Sequence, residues 1–361
     1  MTSRSVKRNS ITVQAADLAR QHLAKSQSPP RVTMADIARE SGVSVATVSK
    51  VLNGKPDVSA ENRRRIGQII QSRGYRRSRS RVNTAPPIID VVFEEFDSLW
   101  AIELVHGAMA AAQESRLTVA LTALSEGDER TVWFDHVTSR GTRGIVLLLS
   151  ELAPRQHEEL RARRLPYVVI DPSAEPASGS SSVGVTNWAG GLMATRHLIE
   201  VGHKRIAAIS GPPSLLCSRA RVDGYRAALE TTGLPVRQEL IRWGDFRPPG
   251  GYEHARALLT MSDPPTAIFA GNDLQAMGAM EAARKLGLRV PEDLSLVGFD
   301  DLPTSQWESP PLTTIRQPLR EMGALAVRMV LGSSGSVDVE NPHVELATDL
   351  VVRESTAPPR P

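Results

Sequence analysis

A single cysteine, Cys217, stands among 361 residues, so no intrachain disulfide can form and no cysteine-based metal cluster can assemble. A disulfide-stapled secreted scaffold is excluded. Long apolar runs are missing too: the longest, such as Ile145 to Leu149, have the length of buried strands and not the roughly 18 residues of a membrane span. No membrane-spanning segment is expected. Met1 to Lys25 is rich in Arg and Ser but lacks the continuous apolar core of a signal peptide, which makes the cytoplasm the expected compartment. Neither a Walker-type phosphate loop nor a Gly-x-Ser-x-Gly nucleophile elbow occurs. His197 and His203 lie six residues apart, a spacing that does not place two metal ligands on one helical face, and His203 directly follows Gly202 where a helix should end. No metal and no cofactor is expected. Adjacent acids such as Glu94-Glu95 and Asp300-Asp301 diverge in direction and make a poor general acid and base. Catalysis is therefore not expected, and Cys217 reads as a small apolar filler.

What is present is a segregated charge. The net charge is only +3, yet residues 1–85 carry 17 basic against 5 acidic side chains, +12, while the remainder carries −9. A strongly basic head on an acidic body suits a polyanion at one end, and nucleic acid is the commonest one in the cytoplasm.

Val32 to Tyr75 within this head reads as three short capped helices. Thr33 stands three residues before Asp36 and precedes the apolar Met34, Ile37 and Ala38, with Gly42 as terminator. After a tight turn Ser44 caps a second helix, in which Val48, Val51 and Leu52 face inward and Val45, Ala46, Ser49 and Lys50 face outward; Asn53-Gly54 ends it. Ser59 opens a third helix with Ile66, Ile69 and Ile70 inward, Arg63, Arg64 and Arg65 elsewhere, and Gly74 at its end. This is a helix-turn-helix unit.

The blocks Thr33-Met34-Ala35-Asp36-Ile37-Ala38, Gly42 through Gly54 and Gly74-Tyr75 resemble the DNA-binding head of the lactose-repressor family of bacterial regulators. The resemblance implies that the second helix lies in the major groove with Val45, Ala46 and Lys50 as base readers; Val and Ala suit thymine methyls, and Lys suits guanine O6 and N7. Thr47, Ser49, Asn53 and Tyr75 would position the head on phosphates. A linker comes next over residues 76–87, in which Arg76, Arg77, Arg79 and Arg81 alternate with serines before Pro86-Pro87. Family members wedge a leucine into the minor groove here, but this stretch has none. Arginines entering a narrow minor groove or tracking phosphates, or a disordered tether, remain the alternatives.

From Ile88 onward, short apolar runs alternate with amphipathic segments, the signature of parallel sheets with crossover helices. Strands are expected at 88–93, 118–124, 144–149, 167–171, 205–210, 240–243, 266–271 and 294–299, and helices at 99–114, 187–201, 220–232, 251–261 and 273–286. The expected α/β architecture is two doubly wound lobes facing a cleft. Ligands bind beyond the carboxyl ends of such strands, which points to Phe96 to Trp100, Gly211 to Arg221, Gly244 to Phe246, Asn272-Asp273 and Asp300-Asp301. The whole is thus divided into a disordered extension (1–31), the head (32–75), the linker (76–87), an effector-binding and dimerisation domain (88–356) and a tail (357–361).

Asn187-Trp188-Ala189-Gly190-Gly191, Ser218 through Tyr225, Gly271-Asn272-Asp273, Val297 through Asp301 and Pro310 through Ile315 resemble the effector domain of the same family, itself similar to periplasmic sugar-binding proteins. That resemblance implies effector contacts at Arg221, Asn272 and Asp300, with Phe246 stacking on the ligand; the cleft adds Asp97, Trp100 and Trp307, which could equally be caps or packing residues. Arginine, amide and carboxylate together suit vicinal hydroxyls. The expected protein is a homodimeric transcriptional repressor that binds a pseudo-palindromic double-stranded operator and is released by a mono- or oligosaccharide. A sugar-binding module without DNA function, a sugar-processing enzyme and a regulator answering to a non-sugar corepressor are the rivals. The chain's last residues hold no apolar heptads, so a dimer suffices for two half-sites.

Overall fold

The computed structural model describes residues 32–52, 58–73, 87–93, 98–123, 129–148, 152, 154–175, 180–332 and 342–360. The chain divides into two compact units, Met1–Thr84 and Ala85–Pro361. The first contains α1 (Met34–Ser41), α2 (Val45–Leu52) and α3 (Ala60–Ser72). Thr33 closes a capping box on α1: its hydroxyl accepts from the Asp36 amide at 3.3 Å and the Asp36 carboxylate accepts from the Thr33 amide at 3.0 Å. Gly42, at φ 65°, ends the helix in the left-handed region. Ser44 and Ser59 accept from the Thr47 and Asn62 amides at 3.2 and 3.3 Å, and each such cap contributes roughly 0.5–2 kcal/mol. Ile37, Ala38, Val48 and Ile66 form the small core, with Val51, Leu52, Ile69 and Ile70 packed around it. An Arg73–Glu40 pair at 2.9 Å ties α3 back to the end of α1.

The second unit is two lobes, each built on a six-stranded sheet. The first sheet is ordered β11-β5-β4-β3-β1-β2, from β1 (Ile88–Phe93), β2 (Thr118–Ala123), β3 (Gly144–Leu148), β4 (Tyr167–Ile170), β5 (Ser181–Val185) and β11 (His343–Leu346). The second is ordered β12-β10-β9-β8-β6-β7, from β6 (Ile206–Ser210), β7 (Ile241–Trp243), β8 (Ala267–Ala270), β9 (Ser295–Asp300), β10 (Thr313–Arg316) and β12 (Asp349–Val351). Among the described residues every pairing is parallel except β10 with β12.

Helices cover both faces of each sheet, which is why the central strands are apolar without alternation. On the first lobe, α4 (Leu99–Glu114) and α11 (Leu319–Gly332) pack on one face. On the opposite face lie α5 (Glu129–Ser139) and α6 (Pro154–Ala162). On the second lobe, α7 (Asn187–Val201) and α8 (Leu216–Thr231) oppose α9 (Pro248–Leu259) and α10 (Asp273–Lys285). The chain crosses between lobes three times: from β5 into α7, from β10 into α11, and from β11 into β12.

The eight strands expected from sequence are present, with ends shifted by at most two residues. β5, β10, β11 and β12 were not expected, nor were α5, α6 and α11. These include the segments that make the three crossings. Residues 357–360, expected as a tail, lie against the second lobe: the Ala357 amide donates to Ser295 Oγ at 3.0 Å, and Arg360 pairs with Asp293 at 2.5 Å. Gly74, Asn53-Gly54, the 76–86 part of the linker and residues 1–31 lie outside the described residues.

Candidate effector cavity and DNA-reading helix

The second helix of the head presents the expected face. Val48 is fully buried, whereas Val45 is 45% exposed and Ala46 and Lys50 are exposed beside it. Positions 45 and 49, and 46 and 50, are one helical turn apart, so they form one strip on the side opposite the core. Thr47 and Ser49 are half-buried at its flanks, and Thr47 shares its hydroxyl with Ser44 at 2.9 Å. Asn53, Tyr75, Arg76, Arg77 and Arg79 fall outside the described residues.

In the second unit a cavity of about 540 Å³ opens between the lobes. It is walled by the carboxyl ends of β1, β3, β4, β6, β7, β8 and β9 and the segments that come after them, where parallel sheets place their ligands. Arg221, Asn272, Asp300, Phe246 and Trp100 all line it. Asp97 lies outside the described residues. Trp307 does not belong to the lining: it sits in the turn after β9, where its amide bonds Thr304 O, and its side chain is 82% exposed. Sequence position near a strand end was a weak guide there, because the loop after β9 is anchored on Asp273 through Leu302 and Ser305 while Trp307 stays exposed.

Arg221 is the centre of the site. Gly191 and Gly224 let α7 and α8 touch backbone to backbone; a Cβ on Gly191 would lie 2.2 Å from the Arg221 carbonyl oxygen. The guanidinium is thereby carried inward, 3% exposed, where Nε donates to Asn187 Oδ1 at 2.8 Å and an amino group donates to the Gly271 carbonyl at 2.6 Å. It lies flat over the Phe299 ring, 3.7 Å from its centroid, and 5.7 Å from the Phe246 centroid. Asp300 Oδ1 is 4.0 Å away. At that separation the attraction does not offset burial: desolvation drives the Asp300 carboxyl well above its ordinary range, Arg221 opposing it. Gln317, on the crossing after β10, donates to Asp300 Oδ1 at 2.6 Å.

Asn272 lines the cavity and also has structural bonds. Its Oδ1 caps α10 by accepting from the Gln275 amide at 2.9 Å, and its Nδ2 donates to the Phe246 carbonyl at 3.0 Å. One N–H remains to offer a ligand. The bond it makes also stabilises Phe246 at a φ of 63°, a left-handed backbone that non-glycine residues rarely adopt. The Phe246 ring rests on Gly211, where a Cβ would fall 2.1 Å from the ring.

Several lining residues were not singled out from the sequence: Asp171, Leu274 and Arg247 among them. Asp171 closes β4 at φ 52° and is 5% exposed; Asn187 Nδ2 reaches it at 3.4 Å, and desolvation raises its carboxyl pKa against the pull of Arg221. The carboxyl-end rule would have reached it, since it ends an expected strand. Cys217 also lines the cavity; burial pushes its thiol up to about 12, which makes it an inert wall. His203 Nε2 donates to Ala357 O at 3.0 Å, and in the neutral ring its Nδ1 accepts from Thr266 Oγ1 at 2.9 Å. It is a structural clamp. Among the described residues no group of three metal-ligating side chains occurs, and no helix is long and apolar enough to cross a membrane.

A capped helix-turn-helix on the same chain as a two-lobed cleft domain defines a class, the ligand-responsive regulators. Residues 33–78 match the family described as bacterial regulatory proteins, lacI family, and residues 195–356 match the periplasmic binding protein-like domain. The chain is 32% identical over 330 residues to catabolite control protein A of Priestia megaterium, covering 90% of this chain and 99% of that one. It is equally similar, 32% over 335 residues, to the HTH-type transcriptional regulator MalR of Streptomyces coelicolor, covering 90% and 96%. Among solved structures, a CelR–cellobiose complex matches at 31% identity and a TM-score of 0.70 over 90% of this chain and all of that one. A lac repressor dimer bound to operator and the anti-inducer ONPF matches at 27% and 0.68 over 91% and 99%. The chain belongs to the lacI family of bacterial regulatory proteins. It is a DNA-binding transcriptional regulator and not an enzyme.

Proposed function

We propose that this regulator is a homodimeric repressor which binds a pseudo-palindromic operator and leaves it when a mono- or oligosaccharide closes the cleft. The observation that carries the reading is the convergence of Arg221, Asp171, Asp300, Asn272, Phe246 and Trp100 on one cavity of about 540 Å³, a size suited to a small ligand. Two buried carboxylates against one guanidinium favour a ligand that donates hydroxyls over an anionic one. The aromatic rings cover the apolar C–H face of a sugar. A CelR relative was solved with cellobiose, and a lac repressor relative as a dimer on operator; the same ligand class and assembly are proposed here. Val45, Ala46 and Lys50 read bases, with Thr47, Ser49, Asn53, Tyr75, Arg76, Arg77 and Arg79 on the phosphates. The compartment is the cytoplasm, at the nucleoid when DNA is bound.

The test is a titration of sugars into the protein on fluorescent operator, followed by anisotropy, with calorimetry on free protein. One sugar should lower operator affinity and bind with a reciprocal coupling of about 1–3 kcal/mol. If no sugar binds while a purine or a phosphorylated partner changes operator affinity, the ligand assignment is wrong.

A further inference from the structure

The effector carboxylate Asp300 and its neighbour Asp301 are two consecutive non-glycine residues at positive φ, 113° and 57°. L residues rarely adopt these conformations, and they persist only where the surroundings hold them. Asp301 does not line the cavity, yet its carboxylate is bound by two arginines: Arg316 Nε donates at 2.7 Å to one oxygen and Arg353 at 2.5 Å to the other. The two are not equivalent. The Arg316 side chain is 52% exposed, and pairs of that kind contribute little. The Arg353 side chain is 18% exposed, its second amino group donates to the Leu312 carbonyl at 2.7 Å, and its own amide donates to Thr313 Oγ1 at 2.9 Å. Two residues further on, Ser355 is fully buried, donating to Leu296 O at 2.6 Å and accepting from the Thr313 amide at 2.8 Å. The segment carrying Arg353 is therefore stitched to the strands on either side of the strained pair.

The far side of the same turn is held by Asp273, which accepts from the Leu302 amide at 2.8 Å and from Ser305 Oγ at 2.5 Å. With Asp273 fixing Leu302 and Ser305 and Gln317 touching Asp300 itself, Arg353 is the less exposed of the two cations that fix Asp301. We propose that Arg353, which lies outside the cavity, is a positioning residue for effector binding: by fixing Asp301 it holds Asp300 in the strained conformation that aims its carboxylate at the ligand. The proposal rests on the reading of Asp300 as an effector contact. It gives the C-terminal segment, which does not line the cavity, a part in ligand recognition.

The test compares Arg353→Ala and Arg353→Lys with wild type in the full-length protein by two readouts. The first, hydrogen exchange without ligand, expects the Ala variant to exchange at least tenfold faster over 299–305 while the amides of β6 and β8 keep wild-type protection, and expects Lys to restore most of it. Unchanged exchange at 299–305, or an equal rise throughout the second lobe, overturns the proposal, since the latter is simple destabilisation. The second, calorimetry with cellobiose as probe, expects a loss of at least tenfold in affinity for Ala with operator affinity unchanged. Binding equal to wild type in Arg353→Ala also overturns it. Asp300→Ala is the control for the underlying reading: if it binds cellobiose as wild type does, Asp300 is no effector contact, whatever Arg353 does.

Discussion

The exposed strip on α2, proposed to read bases, and the wall of the inter-lobe cavity, proposed to hold the effector, are built in opposite ways. Val45, Ala46 and Lys50 are exposed side chains on a helix fixed by a four-residue core and three caps. Arg221, Asp171 and Asp300 are at most 5% exposed, and each is tied to neighbours from other elements. A group that waits for DNA can be solvated beforehand at no cost. A group that waits for a small ligand inside a cleft has lost its water already and must be held by protein. Substitutions on the strip should therefore alter binding alone, whereas substitutions in the wall should alter binding and stability together.

The largest expected effect lies in the wall. Arg221→Ala removes the donor to Asn187 and Gly271 and the cation facing Asp300, leaving buried acceptors unpaired. Breaking a buried charged cluster from one side costs about 3–5 kcal/mol. Denaturant unfolding should show a loss of that order, sugar binding should vanish in calorimetry, and operator affinity should stay near wild type. A variant that keeps full stability would show that the wall does not depend on this guanidinium.

On the strip, Lys50→Ala should cost about 1–3 kcal/mol on operator and little on random DNA, because a base contact discriminates where a phosphate contact does not. Its melting curve should match wild type. Equal losses on both DNAs in anisotropy at fixed salt would move Lys50 from the base readers to the phosphate contacts.

The same contrast decides what the sequence could show. The head is local: Thr33, Ser44 and Ser59 cap, Gly42 terminates, and Ile37, Val48 and Ile66 recur at helical spacing, so its helices and its outward face are set by neighbours along the chain. The cavity is assembled from seven strand ends. Arg221, Asp300 and Phe246 lie in loops that the carboxyl-end rule reaches, but only the family resemblance picks them out within those loops. Asp171 carries no motif, Trp307 is exposed and outside the cavity lining, and Asn272 spends most of its amide on a cap and on Phe246. The strands β10, β11 and β12 escape because they are three or four residues long and their pairing partners are remote, β11 with β5 and β12 with β10. Nothing within a window of ten residues signals such pairings.

A smaller perturbation separates shape from chemistry in the wall. Gly211→Ala introduces no polar change, but its Cβ would fall 2.1 Å from the Phe246 ring, so the ring must swing out of its stacking position. Sugar affinity should drop by about tenfold, or 1.4 kcal/mol, while Lys50-dependent operator binding is untouched. If calorimetry gives wild-type affinity, the ring is not a platform for the ligand.

The smallest effect concerns the clamp at the end of the second lobe, where the wall's rule of buried and tied polar groups meets no ligand at all. Burial lowers the pKa of His203, against the carbonyl of Ala357, and of His197 beside it. A histidine whose folded pKa lies below its unfolded value of 6.5 binds fewer protons when native, so its contribution to stability is present above that pH and is lost as pH falls toward the folded pKa. Asp273 acts in the opposite sense: desolvation raises its pKa to about 6, so the native state takes up a proton more readily and gains relative stability on acidification from above 6 to below it. The net slope of wild type between pH 7.5 and 5.5 thus mixes both signs, and only a difference isolates the imidazole. His203→Gln keeps a donor and an acceptor for Ala357 O and Thr266 Oγ1 without titrating. Its melting temperature should fall less, or rise more, than that of wild type between those two pH values. Parallel melting curves for the two proteins would mean that the His203 proton is not linked to folding.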